Sequence, residues 1–310
     1  MKKTVLFLLL TLALGCSLFG AIPSSGKFDW KSAKSLAPGV RLKTIVLEKP
    51  RPLQLQVVRV DLGNPRIYLI TSPRDKDWGK PMPDYPKTKI NTLRTRVSDF
   101  AAQRHKEGHD IRLAVNASPW GPWTAPFTHK YGGNIGLAMC EGKVVGLPRS
   151  GRPAFIERTN GEFAFIDVKK DDKATGIRNA VSGFQFVLRD GKQVCDNRMV
   201  LHPRTFYGLS KDNKTFYILV VDGRQKGYSE GFALCEGAKF LTYLGADDGL
   251  NMDGGGSTTL VTCRNGKTEI VNTPPGAGKA SKAQKPNYTR KVATSIGICL
   301  GGKPKAPKQK

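Results

Sequence analysis

The chain lacks the short motifs that mark several common enzyme classes. It has no HExxH pair and no phosphate-binding P-loop. The glycine-rich residues 131–136 neither close a predicted strand nor open a helix, so they are not a dinucleotide-binding fingerprint. His105 and His109 have helical spacing, but Gly108 breaks the helix between them and no third ligand is evident. We therefore expect no metal site and no cofactor.

Cysteine is sparse and widely spaced. The sequence has 6 cysteines and no CxxC pair, which argues against a zinc site and against a thioredoxin-type redox motif. In an oxidising compartment one or two disulfides are expected, and the pairing stays open. Beyond Cys16 the cysteines are odd in number, so at least one thiol is free; they are Cys140, Cys195, Cys235, Cys263 and Cys299.

Long apolar runs are missing after the N-terminus. Lys2 and Lys3 precede a short apolar stretch at residues 5–14, which predicts a signal peptide over residues 1–21 and export to the periplasm or the medium. Residues 13–16, Ala-Leu-Gly-Cys, resemble a bacterial lipobox with Ala where Leu is usual. Simple cleavage near residues 17–21 is favoured, and the alternative is a lipid anchor at Cys16 with peripheral membrane attachment.

Acidic residues are absent from residues 279–310, which hold nine Lys or Arg. The whole chain has a formal net charge of +25. Such an excess attracts polyanions, and for an exported protein phosphorylated glycans and anionic membrane surfaces are the natural partners. No nucleic acid is expected, because the signal peptide opposes it, and simple solubility is the plain alternative. Residues 301–310 are rich in Gly, Pro and Lys, which predicts a disordered basic tail.

The remaining sequence predicts an α+β fold. Short apolar or alternating runs separated by turn residues indicate a mostly antiparallel multi-stranded sheet. Helical spacing appears only in residues 92–107 and 229–244, so a few helices would flank the sheet. Without an internal repeat or an early linker, residues 38–300 are expected to form one domain after a loose segment at residues 22–37.

Residues 249–260 are the most distinctive stretch. Apolar residues lead to Asp253, then come three glycines, three hydroxyl residues and a further apolar pair. This order predicts a strand, a glycine turn and a second strand, with Asp253 at a strand end beside accessible backbone. The alternative is a tight turn with a solvated carboxylate. Three glycines exceed what a turn needs and favour a site, whose predicted members are Asp253, Gly254, Gly255, Gly256, Ser257 and Thr258.

Other polar groups also lie at predicted strand ends, where sites are commonly built. They are Asn116, the adjacent Arg204 and Thr205, and the pair Asp222 and Arg224. Each has a plain alternative: Asn116 as a turn cap, Arg204 as a surface cation and Asp222 with Gly223 as a type I′ turn. Together with the glycine-rich turn they predict one shared pocket.

Residues 250–259, Leu-Asn-Met-Asp-Gly-Gly-Gly-Ser-Thr-Thr, closely resemble the Asn-Leu-Asp-Gly-Gly-Gly-Ser-Ser/Thr-Thr motif of the phosphodiester glycosidase family. Similar order and spacing extend the resemblance to residues 114–116, 202–205 and 220–225 and to the helix that carries Glu236. It covers about residues 38–300. The chain departs from the family pattern after Asn116, where Ala-Ser-Pro-Trp replaces the usual glycines before an aromatic residue.

The resemblance implies hydrolysis of a sugar-1-phosphodiester, or a related anionic glycan, to free sugar and a phosphomonoester. It implies Asp253 as the carboxylate at the anomeric carbon, with Glu236 and Asp222 as the next candidates. Arg204 would clamp the phosphate with Arg224, and the amides of the three glycines would add an anion nest. Asn116, Thr205, Ser257 and Thr258 would hold sugar hydroxyls or phosphate oxygens. The alternative function is a non-catalytic binder of anionic cell-wall or surface glycans.

Overall fold

The computed structural model describes residues 27–275 and 289–302. The predicted signal peptide, Cys16 and residues 303–310 of the predicted tail lie outside the described residues. Neither helix in the described ranges has the length and apolar character that crossing a membrane requires.

The described residues contain two α-helices and 23 strands. The first part of the chain forms β1 Lys34–Ala37, β2 Val40–Leu47, β3 Leu53–Asp61, β4 Ile67–Thr71, β5 Pro81–Met82, β6 Tyr85–Lys89, β7 Thr92–Leu93, α1 Val97–Lys106, β8 Ile111–Asn116, β9 Trp120–Gly121, β10 Tyr131–Asn134, β11 Ala138–Cys140 and β12 Lys143–Gly146. The rest forms β13 Ala154–Arg158, β14 Phe163–Ile166, β15 Ile177–Ser182, β16 Gln185–Arg189, β17 Lys192–Gln193, β18 Arg204–Leu209, β19 Thr215–Val221, α2 Leu234–Leu244, β20 Asp248–Asn251, β21 Leu260–Arg264, β22 Lys267–Ile270 and β23 Ser295–Leu300.

The prediction of an α+β class is wrong. Of the described residues 43% lie in strands and 9% in helices, so the fold is mostly β. Both helices begin five residues later than their apolar spacing predicted, at Val97 and Leu234. Leu93 lies in β7, and Phe232 pairs with His202 in an isolated bridge. Pairing with distant segments overrides the local helical periodicity of these residues.

The largest sheet has eight strands in the order β1-β2-β3-β19-β18-β20-β16-β17, and neighbouring strands run antiparallel. Successive residues of its central strands place their side chains on opposite faces of the sheet, and both faces are buried. Val58 and Ile218 belong to the core between this sheet and the next, whereas Val57 and Leu219 pack with Phe240 of α2. Helix α2 therefore covers the outer face of the eight-stranded sheet.

A five-stranded sheet, in the order β22-β21-β8-β23-β4, packs against the inner face of the first. Its β8 contributes Leu113 and Val115 to the shared core, whereas Ala114 packs with Phe100 of α1 on the other face. The two sheets thus lie face to face, with one helix outside each. Strand β8 ends at the predicted site residue Asn116 and β20 ends shortly before Asp253, and these two strands lie in different sheets of the sandwich.

Three further sheets complete the described chain. A second five-stranded sheet, ordered β12-β11-β15-β13-β14, contributes Phe155, whose ring stacks on Phe216 with centroids 4.4 Å apart. The other two are β7-β10-β9 and the hairpin β5-β6. Part of the N-terminal segment predicted to be loose is ordered, because β1 pairs with β2 and Trp30 stacks on Tyr217.

One disulfide joins Cys195 to Cys235, which confirms the expectation of one or two bridges. Cys235 lies in the first turn of α2. The bridge closes a loop with a sequence separation of 40 residues and fixes residue 195 against the helix. The other cysteines of the described ranges, Cys140, Cys263 and Cys299, are buried free thiols.

Candidate functional site

The glycine-rich turn passes from one sheet of the sandwich to the other. A strand, a turn and a second strand were predicted here, and β20 and β21 match them, but the two strands do not pair with each other. Strand β20 belongs to the eight-stranded sheet and β21 to the five-stranded sheet. Residues Gly255–Ser257 form a single 3₁₀ turn between them. Asp253 therefore lies at the edge of the sandwich, where the two sheets meet.

Asn116, the last residue of β8, holds this crossing between the sheets in place. Its side-chain amide donates to the Asp253 carbonyl at 2.6 Å, and its carbonyl oxygen accepts from the Thr205 hydroxyl and the Thr259 N–H. The Asn116 backbone carbonyl also accepts the Tyr207 hydroxyl. Asn116 and Thr205, both predicted to bind substrate, instead bind each other and the turn. In this arrangement they set the position of Asp253.

Each of the three glycines makes room for a specific neighbour. A Cβ on Gly254 would lie 2.9 Å from the Pro203 carbonyl oxygen. Gly255 has φ +61°, and the guanidinium of Arg224 packs against it. A Cβ on Gly256 would lie 2.5 Å from Nη2 of Arg290. The run of glycines therefore lets two arginines approach the turn directly.

A cavity of about 600 Å³ opens beside the turn. Asp253, Gly254 and Gly255 form one wall, and residues of the segment 196–204 form another. Apolar and aromatic side chains line much of the remainder, namely Pro119, Trp120, Trp123, Ile135, Phe184, Leu234 and Met252. An apolar pocket with a few converging polar groups is the usual form of a small-molecule site.

Asp253 is buried and has one open carboxylate oxygen. Its Oδ1 accepts the Gly254 N–H at 3.0 Å, whereas Oδ2 has no hydrogen-bond partner among the described residues. Burial raises the pKa of Asp253 to about 6, and nearby groups including Ser257 and Arg290 oppose the rise. The Ser257 hydroxyl and Trp120 indole lie near the carboxyl without meeting hydrogen-bond geometry. A base with a pKa near 6 is suited to proton transfer close to neutral pH.

Two more residues of the cavity wall carry buried polar atoms without a partner in the described ranges. They are Oδ1 of Asn251, an acceptor, and Nε1 of Trp120, a donor. Buried polar atoms are ordinarily hydrogen-bonded, so unpartnered atoms in residues that line a cavity are candidates for contact with a ligand. With Oδ2 of Asp253 they offer two acceptors and one donor. Hydroxyl groups of a sugar satisfy such a set, because each can donate and accept.

Arg204 and Arg224 give the cavity a positive wall. Arg204 donates from Nε to the Phe232 carbonyl and from Nη2 to the Val200 carbonyl, and Arg224 donates to Nδ1 of His202. Neither arginine forms an ion pair with a described residue. Burial and then the neighbouring Arg224 lower the pKa of Arg204 to about 10. Two adjacent cations that lack an ion-pair partner form a natural site for an anion.

Glu236 lies away from the cavity wall. It is completely buried in the first turn of α2, where its Oε2 accepts the Ala233 N–H and pairs with Arg51. Its ion-pair partner is Arg51, which does not line the cavity. Arg51 also donates to the Gly231 carbonyl. The Arg51–Glu236 pair thus holds the segment that includes Phe232, whose carbonyl accepts a hydrogen bond from Arg204. The pair therefore supports the cavity wall without lining the cavity.

Asp222 is also outside the cavity. Its two carboxylate oxygens accept the Asn272 side-chain amide and the Thr273 N–H, and its carbonyl accepts the Ser229 hydroxyl. Burial raises the pKa of Asp222 to about 6. Gly256, Ser257 and Thr258 lie in the turn but not on the wall, and the two hydroxyls are buried. Of the predicted site residues, the cavity brings together Asp253, Arg204, Arg224, Gly254 and Gly255.

Three contributors were not selected from the sequence. Asn251 and His202 line the cavity, and Arg290 packs on the turn. Asn251 and His202 were visible as neighbours of Asp253 and Arg204 in the same motifs. Arg290 lies two residues before the final apolar run, which begins at Val292, so it is close to a predicted strand end. Arg290 was not selected because it lies in a long basic stretch, where nothing distinguishes it from the neighbouring Lys residues.

The described chain brings one group of three metal-capable side chains together, Asp190, Asp247 and Asp248. None of them lines the cavity. Clusters of partly exposed carboxylates are common without an ion, so this group has no assigned role.

Comparison with known proteins places this geometry in context. Residues 111–299 match the sequence profile of a family described as phosphodiester glycosidase. The catalytic domain of zebrafish N-acetylglucosamine-1-phosphodiester alpha-N-acetylglucosaminidase, described as auto-inhibited by a pro-peptide, is 19% identical with a TM-score of 0.58, over 89% of this chain and 87% of that one. No curated protein sequence gives a significant match.

Two bacterial structures are similar at the level of fold. A Synechocystis protein is 12% identical with a TM-score of 0.54, over 85% of this chain and 62% of that one. A Burkholderia pseudomallei protein described as exported is 14% identical with a TM-score of 0.54, over 80% and 74%. At these identities the structural likeness shows a shared fold, and the family rests on the sequence profile.

Proposed function

The chain belongs to the phosphodiester glycosidase family, and from that premise we propose that it hydrolyses a sugar-1-phosphodiester to the free sugar and a phosphomonoester. One observation carries the proposal: Asp253 faces the same cavity as Arg204 and Arg224. A carboxylate beside two cations suits a substrate that has an electrophilic carbon next to a negative phosphate.

The leaving group explains why this site needs only one carboxylate at the reacting carbon. An ordinary glycosidase uses a second carboxyl group to protonate an alcohol as it leaves. Here the bond between the anomeric carbon and the bridging oxygen breaks, and that oxygen departs with a phosphate that is already a stable anion. Arg204, with Arg224, binds that anion and stabilises the charge as it develops.

Asp253 acts at the anomeric carbon. It either takes a proton from the attacking water or attacks the carbon itself, and the configuration of the released sugar distinguishes the two routes. Its raised pKa makes the carboxylate a stronger base than a solvated aspartate. Asn251 and Trp120 hold sugar hydroxyls through their open polar atoms.

The location of the protein and its partner remain predictions from the sequence. We propose export by the signal peptide, with the lipid anchor at Cys16 as the alternative, and an anionic glycan as the substrate. The family leaves the identity of the sugar and of the second phosphate substituent to experiment.

Asp253→Asn tests the assignment of the carboxylate. The variant should release no sugar from the methyl diesters of hexose-1-phosphates, because an amide neither accepts the proton nor attacks carbon. Asn keeps an acceptor for the Gly254 N–H, so the fold should persist. The control is Asp171→Asn at an exposed site. Sugar release at the wild-type rate by Asp253→Asn would refute the assignment, and binding without turnover by the wild type would favour the non-catalytic glycan binder.

Arg204→Lys tests the phosphate clamp. A planar fork is replaced by a point charge, so kcat/KM for the phosphodiester should fall roughly 10- to 100-fold. Hydrolysis of an aryl glycoside of the same sugar, which has no phosphate, should change much less. Equal losses on both substrates would show that Arg204 does not act on phosphate.

A further inference from the structure

Arg290 packs on the glycine-rich turn that follows Asp253 and belongs to no motif of that turn. It is 8% exposed, and its guanidinium packs against the backbone of Gly256, at the place where a side chain would otherwise begin. Its positive charge acts on the Asp253 carboxyl in a direction that opposes protonation. The other charged or titratable groups around the cavity are Arg204, Arg224, His202, Asp196 and Arg198.

Two aromatic rings hold the Arg290 guanidinium. Its central carbon lies 4.3 Å from the centroid of Phe127 and 5.2 Å from that of Trp123. Arginine stacks on aromatic faces through its flat, weakly hydrated cation, which also lowers the cost of burying the charge. The guanidinium therefore lies between these rings and the glycine turn.

Arg94 fixes two backbone segments, one at Phe127 and one next to Arg290. Arg94 donates to the carbonyl of Phe127 and, from two nitrogens, to the carbonyl of Lys291. Val292 pairs with Thr95 through two further backbone hydrogen bonds. The backbone next to Arg290 and the backbone of Phe127 are therefore both held by Arg94, which fixes the contact between the two side chains.

We propose that Arg290 is a positioning residue of the active site, which acts on the substrate through Asp253 and for which Gly256 provides the space. The proposal rests on the proposed function of Asp253. The cation holds the neighbouring carboxyl ionised and oriented towards the cavity. The third glycine of the turn is then required by a side chain that packs on it, rather than by backbone conformation, because the φ angle of Gly256 is not in the left-handed region.

Two substitutions test the contact between Arg290 and Gly256, one at each residue. Arg290→Met removes the charge and keeps an apolar side chain between the rings. Gly256→Ala keeps Arg290 but moves the end of its flexible side chain away from the turn. Arg264→Met, at an exposed site on β21, is the matched control.

The titration of Asp253 is the direct measurement, and it needs no substrate. Carboxyl carbon NMR of protein labelled at aspartate, assigned by comparison with Asp253→Asn, should show the Asp253 titration about one pH unit higher in both variants and unchanged in Arg264→Met. With a hexose-1-phosphate methyl diester, the acidic limb of kcat/KM should move by the same amount, and the double variant should resemble either single one.

The outcomes separate this proposal from the proposed function. A titration shift without hydrolysis of any diester by the wild type would support the positioning role and refute the activity. An unmoved titration in folded Gly256→Ala or Arg290→Met would overturn the positioning role. A raised KM with an unmoved titration would do so as well, and would make Arg290 a ligand of the substrate.

Discussion

Asp222 and Asp253 are two buried aspartates with similar acidity and different surroundings. Burial raises the pKa of each to about 6. Both oxygens of Asp222 accept hydrogen bonds, from Asn272 and Thr273, whereas one oxygen of Asp253 has no described partner and Asp253 lines the cavity. The perturbed pKa alone therefore does not identify the reactive group, and the position of Asp253 on the cavity wall does.

This difference gives the two aspartates opposite responses to amidation. A folded-state pKa near 6 against 3.8 when unfolded means that the folded protein binds more protons between these values, so its free energy of unfolding falls as pH rises from about 4 to about 6. Asp253→Asn removes the contribution of Asp253 to this loss of stability. The substitution should therefore raise the free energy of unfolding at pH 7 by roughly 1 to 3 kcal/mol. Asp222→Asn cannot accept from both donors and should lower it.

Urea denaturation of the three proteins at pH 4 and pH 7 checks this prediction. The wild type should lose stability between the two values, and Asp253→Asn should lose less. If Asp253→Asn is less stable than the wild type at pH 7, the ionised carboxylate is better compensated than its burial implies.

At the scale of elements, the disulfide connects the cavity to α2. The segment after Cys195 supplies Asp196 and Arg198 to the cavity wall and the Val200 carbonyl that holds Arg204. The bond to Cys235 fixes the start of this segment against the helix. We therefore regard the disulfide as part of the framework of the anion site.

Replacing both Cys195 and Cys235 by Ser should loosen that segment. We expect the free energy of unfolding to fall by about 2 to 4 kcal/mol and KM for the phosphodiester to rise several-fold, with a smaller change in kcat. Dithiothreitol should reproduce the effect in the wild type and have none on the double variant. An unchanged KM in both cases would show that the segment holds Arg204 without the bridge.

Several elements could be predicted because their signals are local. The strand that ends at Asn116 and the strands on either side of the glycine turn lie where the apolar runs predicted them. The crossing at Asp253 could not be predicted in the same way, because the pattern of β20 and β21 does not state which sheet each strand joins. The same limit explains Asn116, whose contacts with Thr205 and Thr259 connect segments that are distant in sequence.

At the scale of the whole molecule, the class was wrong for a related reason. Two segments with helical spacing suggested a substantial helical component, but the tertiary structure shortened both and placed them outside a two-sheet sandwich. The basic C-terminal stretch was also less uniform than its composition suggested. Residues 289–302 contain Arg290 and β23, which pairs with β8 and β4 inside a sheet.

The net charge of +25 has a consequence for an anionic substrate. A positive field around the protein raises the local concentration of a phosphodiester, and salt screens it as the Debye length falls from about 30 Å at 0.01 M to about 8 Å at 0.15 M. We expect kcat/KM to fall several-fold over this range while kcat stays nearly constant, because screening weakens association rather than the chemical step. The inhibition constant of methyl phosphate should rise in parallel, whereas that of the free neutral sugar should not change. Equal salt dependence for the charged and the neutral inhibitor would point to a general effect on the protein, and the cavity arginines would then act at contact distance alone.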